Sequence, residues 1–222
     1  MKTLTVTGVT ESIVKYLRVH IIEGVLAPGQ KLHELELSSS LGVSRPPLRE
    51  AFRVLESEHL ISSFPRKGCY VTHVSMDNCK EIYEAREMIE CFAVDLLKEK
   101  EIGLLPAVTE TLAVTAGLSL PSGDDPYEKF DYLKAIANFH RRLVESAGNS
   151  RLNSFYQGMF PSLARYQSMY TYRPGLMNKS QNVHEEIVQS IEEGDYDHAK
   201  EMLRAHIRGF ISLMEDKIGD KI

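Results

Sequence analysis

Cysteine is scarce in this 222-residue chain: Cys69, Cys79 and Cys91 are an odd number without the dense, even spacing of a disulfide scaffold. A reducing compartment is expected, with all three as ordinary thiols. The first ten residues, MKTLTVTGVT, lack the apolar centre of an export signal, and nowhere do 18 apolar residues run together. Neither export nor a membrane-spanning helix is supported, and a cytoplasmic protein is expected. Basic charge is not in excess either, since the net charge of −5 argues against bulk coating of nucleic acid. Repeats and low-complexity segments are also missing.

What charge there is divides unevenly. Residues 1–75 carry 9 Lys+Arg against 7 Asp+Glu, a net of +2, whereas residues 76–222 carry 17 against 24, a net of −7. The length suits two domains, each able to bury a core, and the asymmetry fits a small nucleic-acid-facing module joined to an acidic body.

The stretch 42–56, GVSRPPLREAFRVLE, organises the first part. Ser44 is a good helix N-cap, and Pro46 and Pro47 are tolerable only in a first turn. Leu48, Ala51, Phe52 and Leu55 then follow helical spacing as a buried stripe, while Arg45, Arg49 and Arg53 recur every fourth residue about a quarter-turn away. Arginine in a first turn opposes the helix macrodipole, a conflict that a bound polyanion relieves. The alternative is a surface helix whose arginines are simply solvated.

Its neighbours sharpen the reading. A helix over residues 10–24, with Thr10 as cap and Gly24 as stop, is followed by a Pro28-Gly29 turn and a short helix over 33–40 ending at Gly42, which gives a helix-turn-helix. Two β-prone runs, 60–64 and 69–74, flank Pro65-Arg66-Lys67-Gly68 and read as a hairpin, a wing with a basic tip. Arg66 and Lys67 there suit backbone phosphates, though an exposed turn carrying lysine for solubility is the plainer account. After residue 76 strand signals vanish. Helical patterns cover 77–100, 104–119, 126–147, 150–171, 178–193 and 196–217, the pattern of an all-α bundle with short connections. The fold expected is therefore mainly α: an N-terminal winged helix-turn-helix over 1–75 plus a C-terminal all-α helical bundle over 76–222.

Two groups of segments carry a family resemblance. LHELELSSSLGVSRPPLREAFRVLESEHLI with RKGCYVTHV in the first part, and YEAREMIE, FHRRLVESAGN and VHEEIVQSIEEGDYDHAKEMLRAHI in the second, resemble the GntR family of bacterial transcription regulators, in its FadR-like branch. Nearly the whole chain is covered. Six bundle helices instead of seven place it nearer the VanR-like subgroup. One departure is His59, where the family usually has glycine.

The resemblance implies that Ser44, Arg45, Pro46 and Arg49 touch DNA at the start of the recognition helix and that the wing tip at Lys67 and Gly68 enters the adjacent groove. Arginine's planar fork suits the O6/N7 edge of guanine. Arg53, a turn deeper, meets phosphate or a carboxylate such as Glu50 or Glu56. In the bundle, His140, His184 and His206 occupy motif positions where many relatives supply a metal-binding imidazole, so the resemblance implies a divalent transition metal such as Zn or Ni. Many metal-binding relatives have aspartate one turn before the first histidine, and here that place is Ile136, which cannot ligate. Spacing by itself says nothing of metal; without the resemblance the three are polar residues lining a cavity. Arg86, with Tyr83, lies where relatives aim a guanidinium at an acidic effector, against the alternative of an i, i+4 pair with Glu90. Phe155, Tyr156, Phe160, Tyr166, Tyr170 and Tyr172 crowd one helix, mostly as core, with hydroxyls that could read a polar ligand.

The reading that results is a cytoplasmic homodimeric transcription regulator, binding a palindromic double-stranded DNA operator under the control of a small organic acid, and not an enzyme. Its rivals are a metal-dependent hydrolase or lyase using the three histidines, which lacks a carboxylate or cysteine placed beside them as general base or nucleophile, and a helical module whose winged helix binds protein.

Overall fold

Apolar spacing sets the first element. Ile13, Val14, Leu17 and Ile21 lie on one side of α1 (Thr7–Ile22) and are all buried. The computed structural model describes residues 7–173 and 175–219, and α1 already runs through Thr10, so Thr10 is an interior helical residue and not a cap. Ser12 donates its hydroxyl to the Gly8 carbonyl from within that helix.

Helix α2 (Glu34–Ser40) and helix α3 (Arg45–Ser57) are joined by a tight turn in which Gly42 has φ +64°, while the Val43 N–H reaches back to the Ser38 carbonyl at 3.0 Å. That bond and the one from the Gly42 N–H to the Ser39 carbonyl at 3.3 Å close the helix through a left-handed residue, which glycine supplies without a Cβ penalty. Leu48, Ala51, Phe52 and Leu55 form the buried side of α3, as their spacing requires. Ser44 is the N-cap residue in extended conformation, yet its side chain makes no capping bond. The reason is chemical. A capping oxygen accepts from the N–H of the second or third helical residue, and here those are Pro46 and Pro47, which have none.

At the other end of α3 the same left-handed closure recurs without glycine. The Leu60 N–H bonds the Leu55 carbonyl, the His59 N–H bonds the Glu56 carbonyl, and His59 sits at φ +59°. This explains why a glycine is at home there. β2 (Ile61–Phe64) and β3 (Gly68–Val71) then form the wing, and β1 (Lys31–Leu32) adds to β3, giving an antiparallel sheet of order β1-β3-β2. β1 has no counterpart in the pattern reading, because two residues are too few to show alternation.

Among the described residues the second part is six helices: α4 (Met76–Lys100), α5 (Pro106–Ala116), α6 (Pro126–Ser146), α7 (Ser150–Ser168), α8 (Leu176–Glu192) and α9 (Tyr196–Gly219). The chain divides into two compact units with the boundary between Val74 and Ser75. Helix α7 ends before Tyr170 and Tyr172, and Phe155 is 68% exposed, so the aromatic crowd is not a single core stripe. Within the bundle Ile89, Ala93 and Leu96 of α4 pack on Val144 of α6, on Ala147 just after it and on Tyr156 of α7. The buried stripe of α4 is Cys79, Tyr83, Arg86, Glu90, Ala93 and Leu97, alternating steps of four and three. Two of its six members are charged.

His59 carries a measurable strain, since a non-glycine left-handed residue costs roughly 1 kcal/mol. His59→Gly should raise the unfolding free energy of the protein by about that amount, less the added freedom of the unfolded chain, with an unchanged denaturant slope in urea titration. A destabilised variant would mean that the imidazole holds the turn by contacts that outweigh the strain.

Candidate functional site

Ser44, Arg45, Pro46, Arg49 and Arg53 are all exposed at one edge of α3, opposite its buried stripe. Because the prolines leave the Ser44 hydroxyl without backbone donors, it has no partner among the described residues, and neither has Arg45. Arg49 donates from Nε to Glu34 at 2.9 Å and Arg53 pairs with Glu50, in both cases between exposed groups. Such pairs are worth less than about 1 kcal/mol and exchange readily for a stronger anion. Of the two carboxylates expected near Arg53 the structure selects Glu50; Glu56 instead accepts the Ser63 N–H at 2.8 Å, tying the wing to α3.

At the wing tip the Phe64 carbonyl accepts from the Lys67 N–H at 3.1 Å across Pro65 and a left-handed Arg66, the sign pattern of a type II turn, and Gly68 follows at φ +102°. Arg66 and Lys67 are exposed. Lys31 belongs with them, although the sequence reading passed it over. Paired opposite Tyr70 through β1, it holds its ammonium 5.6 Å from the Tyr70 ring centroid, and its Cε would lie 3.1 Å from a Cβ on Gly68. The signal was a lone lysine after Pro28-Gly29, visible only once β1 is known.

The bundle contains a cavity of about 330 Å³ lined by Arg86, Ile136, His140, Gln167, His184 and His206, among others. One ring nitrogen from each histidine lies within 4.8 Å of the other two, and the Nε2 atoms of His184 and His206 are 3.2 Å apart. A tetrahedral zinc with ligands at ordinary Zn–N lengths sets its nitrogens about 3.3 Å apart, so the donor set fits a transition ion. Burial holds all three imidazoles below their ordinary pKa, His206 down to about 3, with His140 and Arg86 adding to the effect at His206. They are neutral near pH 7, the form that ligates. Ile136 lines the same cavity and brings no charge to it.

Behind His140 stands a buried polar network. Burial by itself would raise the Glu90 pKa, but Arg86 and His140 hold it well below the carboxylate range. Glu90 Oε1 accepts from Arg86 Nε at 2.7 Å and from the Tyr156 hydroxyl at 2.7 Å, and Oε2 lies 2.8 Å from His140 Nδ1. The i, i+4 pair and the cavity position of Arg86 therefore coexist. Its Nη2 is buried without a hydrogen-bond partner, as is Gln167 Oε1. Tyr83 lies apart from the cavity wall: fully buried, it stacks on Phe210 with ring centroids 4.7 Å apart. The hydroxyls of Tyr156, Tyr166 and Tyr172 are occupied by Glu90, by Ser75 and Asn78, and by the Lys129 carbonyl respectively.

Comparison with known proteins follows the same division. Residues 9–71 match the model for bacterial regulatory proteins of the gntR family, and residues 81–209 match the FCD domain. An HTH-type transcriptional regulator in an unstable DNA locus of Streptomyces ambofaciens is 28% identical over 203 residues, 90% of this chain and 82% of that protein. The HTH-type transcriptional regulator YdhC of Bacillus subtilis (strain 168) is 30% identical over 145 residues, 64% of this chain and 62% of its own length. A crystal structure of a transcriptional regulator GntR from Rhodococcus sp. RHA1 superposes with a TM-score of 0.72 at 22% identity, covering 93% of this chain and 97% of that one, a likeness of fold. Among the described residues no helix is long and apolar enough to cross a membrane.

The imidazoles set a pH dependence for metal-free protein. Their folded-state pKa values lie below the ordinary 6.5, so as pH falls through that value the unfolded chain takes up protons that the folded chain refuses. Stability intact above about pH 6.5 should then decline towards pH 3. Thermal melting of chelator-treated protein should show the decline, and His206→Gln should lessen its slope. An unchanged slope in that variant would remove the histidines as its cause.

Proposed function

The chain belongs to the GntR family of bacterial transcription regulators, with an FCD domain behind its winged helix, and from that premise we propose how its residues divide the work. It is a DNA-binding transcription regulator and not an enzyme. Residues 1–75 would read a palindromic operator and residues 76–222 would dimerise and bind a small organic acid, the homodimer presenting one recognition helix to each half-site.

The observation that carries the DNA half is the first turn of α3. With Pro46 and Pro47 removing two of the backbone donors of that turn, contact with DNA there falls mainly to side chains, and Ser44 and Arg45 stand there exposed and unengaged. Arg45 and Arg49 would read guanine edges, each bidentate contact being worth about 1–3 kcal/mol of discrimination. Arg53, Arg66 and Lys67, with Gly68 admitting the backbone, would hold phosphates.

In the bundle, His140, His184 and His206 would hold a divalent transition metal such as zinc or nickel, and a bound ion would offer open positions to oxygen ligands. With Ile136 at the place of an acid, the three ligands are all neutral. An organic acid would bring the missing negative charge, and the unpartnered Nη2 of Arg86 supports pairing with its carboxylate. Tyr83 would act through its contact with Arg86, whose Cζ lies 5.4 Å from the tyrosine ring centroid. Among the described residues the hydrolase reading gains no free carboxylate base here, because Glu90, which touches His140, already serves Arg86, Tyr156 and His140.

Selection on random duplex DNA should return a palindrome, and Arg45→Ala combined with Arg49→Ala should abolish preference for it; retained preference would overturn the recognition assignment. Lys67→Ala should weaken all sequences alike and lower the salt slope by about one unit.

Protein purified without chelator or affinity tag should contain metal. Replacing His140, His184 and His206 by alanine should abolish metal uptake and the response to acids while sparing DNA binding. A metal-free native protein that responds to its acid equally well in chelator would leave the histidines as cavity lining.

A further inference from the structure

Among the three imidazoles of the cavity, His140 differs in what stands behind it. Its Nδ1 lies 2.8 Å from Glu90 Oε2, whereas the interactions of His184 and His206 run between their own Nε2 atoms and, for His184, to the Ser180 hydroxyl at 3.4 Å. Glu90 is fully buried, and the guanidinium of Arg86 on its other oxygen keeps it ionised. An ionised carboxylate can only accept, so the nitrogen facing it must carry the proton.

We propose that Glu90 is a positioning residue for the bundle cavity: one oxygen fixes His140 as the Nδ1–H tautomer, leaving the Nε2 lone pair available to a cation, and the other fixes Arg86 through Nε. Arg86 Nη2 is left over for an anion. One carboxylate thus sets both the metal-ligand and the anion-binding side chains, and Tyr156, donating to the oxygen that serves Arg86, holds that oxygen in place. Ligating histidines elsewhere are oriented by such carboxylates, whose loss typically weakens metal binding by roughly 10- to 100-fold. The division of labour follows. His140 is preset, while the hydrogen bond between His184 and His206 must open before both can ligate.

The inference rests on the metal reading for its functional weight, and its test separates the two. In metal-free wild-type protein labelled with ¹⁵N-histidine, long-range ¹H–¹⁵N correlation at neutral pH should show His140 with a protonated Nδ1 and a bare Nε2; the opposite tautomer, or an even mixture, overturns the proposal. Competition for zinc against a chromophoric chelator gives the second readout. Glu90→Gln should weaken zinc binding by roughly 10- to 100-fold. A folded Glu90→Gln protein with wild-type zinc affinity also overturns it. Should Glu90→Gln fail to fold, the wild-type tautomer decides alone. If wild-type protein takes up no zinc, the metal reading fails while the tautomer still decides the role of Glu90.

Discussion

The buried ion pair of Arg86 and Glu90 is the constraint around which the bundle is arranged. Both lie on the inner stripe of α4, at 3% and 0% side-chain exposure. Taking either charge out of water costs several kcal/mol, and a well-packed apolar pair of similar volume would serve stability as well or better. The burial of Glu90 is offset by three contacts to its carboxylate: Arg86 and Tyr156 on one oxygen, His140 on the other. Helices α4, α6 and α7 are thereby held by one carboxylate, and the apolar cluster of Ile89, Ala93, Leu96, Val144, Ala147 and Tyr156 packs these same three segments together.

In the head the comparable constraint is an omission. Two prolines at the second and third positions of α3 preset the backbone and cost no intrahelical bond, because those N–H groups would have been orphans. They also strip Ser44 of its capping role. A helix start that ordinarily turns its polar side chain inward onto the backbone here turns it outward, beside Arg45. The same residues that look like a local capping signal thus produce a recognition edge, and only the geometry distinguishes the two.

Much of this was legible in sequence. The stripe Leu48, Ala51, Phe52 and Leu55, the wing around Pro65–Gly68 and all six bundle helices follow from periodicity and from proline and glycine punctuation, because those signals are local. β1 was not legible, since a two-residue strand exists only through its partner β3. Thr10 misled because a cap residue is also an acceptable helix interior residue. The histidine cluster could not be seen from spacing, as 44 and 22 residues separate its members; resemblance supplied it, and the fold of α6, α8 and α9 brings the rings together. Glu90 escaped notice as a partner of His140 because that contact spans 50 residues, whereas its i, i+4 pairing with Arg86 could be read directly.

Arg86 shows why a choice between two sequence readings can be a false one. An ion pair along the helix and a cavity-facing cation look exclusive if a side chain is counted as one charge. Guanidinium is a fork with five N–H donors fixed in a plane, so Nε can serve Glu90 while Nη2 stays uncommitted. An ammonium at the same place would be a single point drawn onto the carboxylate, with a more tightly held hydration shell and nothing directed elsewhere. The pairing that neutralises Glu90 is thus also what aims the remaining donors. Arg86 Nη2, buried and without a hydrogen-bond partner, leaves donor capacity unused, a cost of about 1–3 kcal/mol. That cost is recovered when an acceptor arrives, and a neutral molecule of the same shape recovers less of it than a carboxylate does.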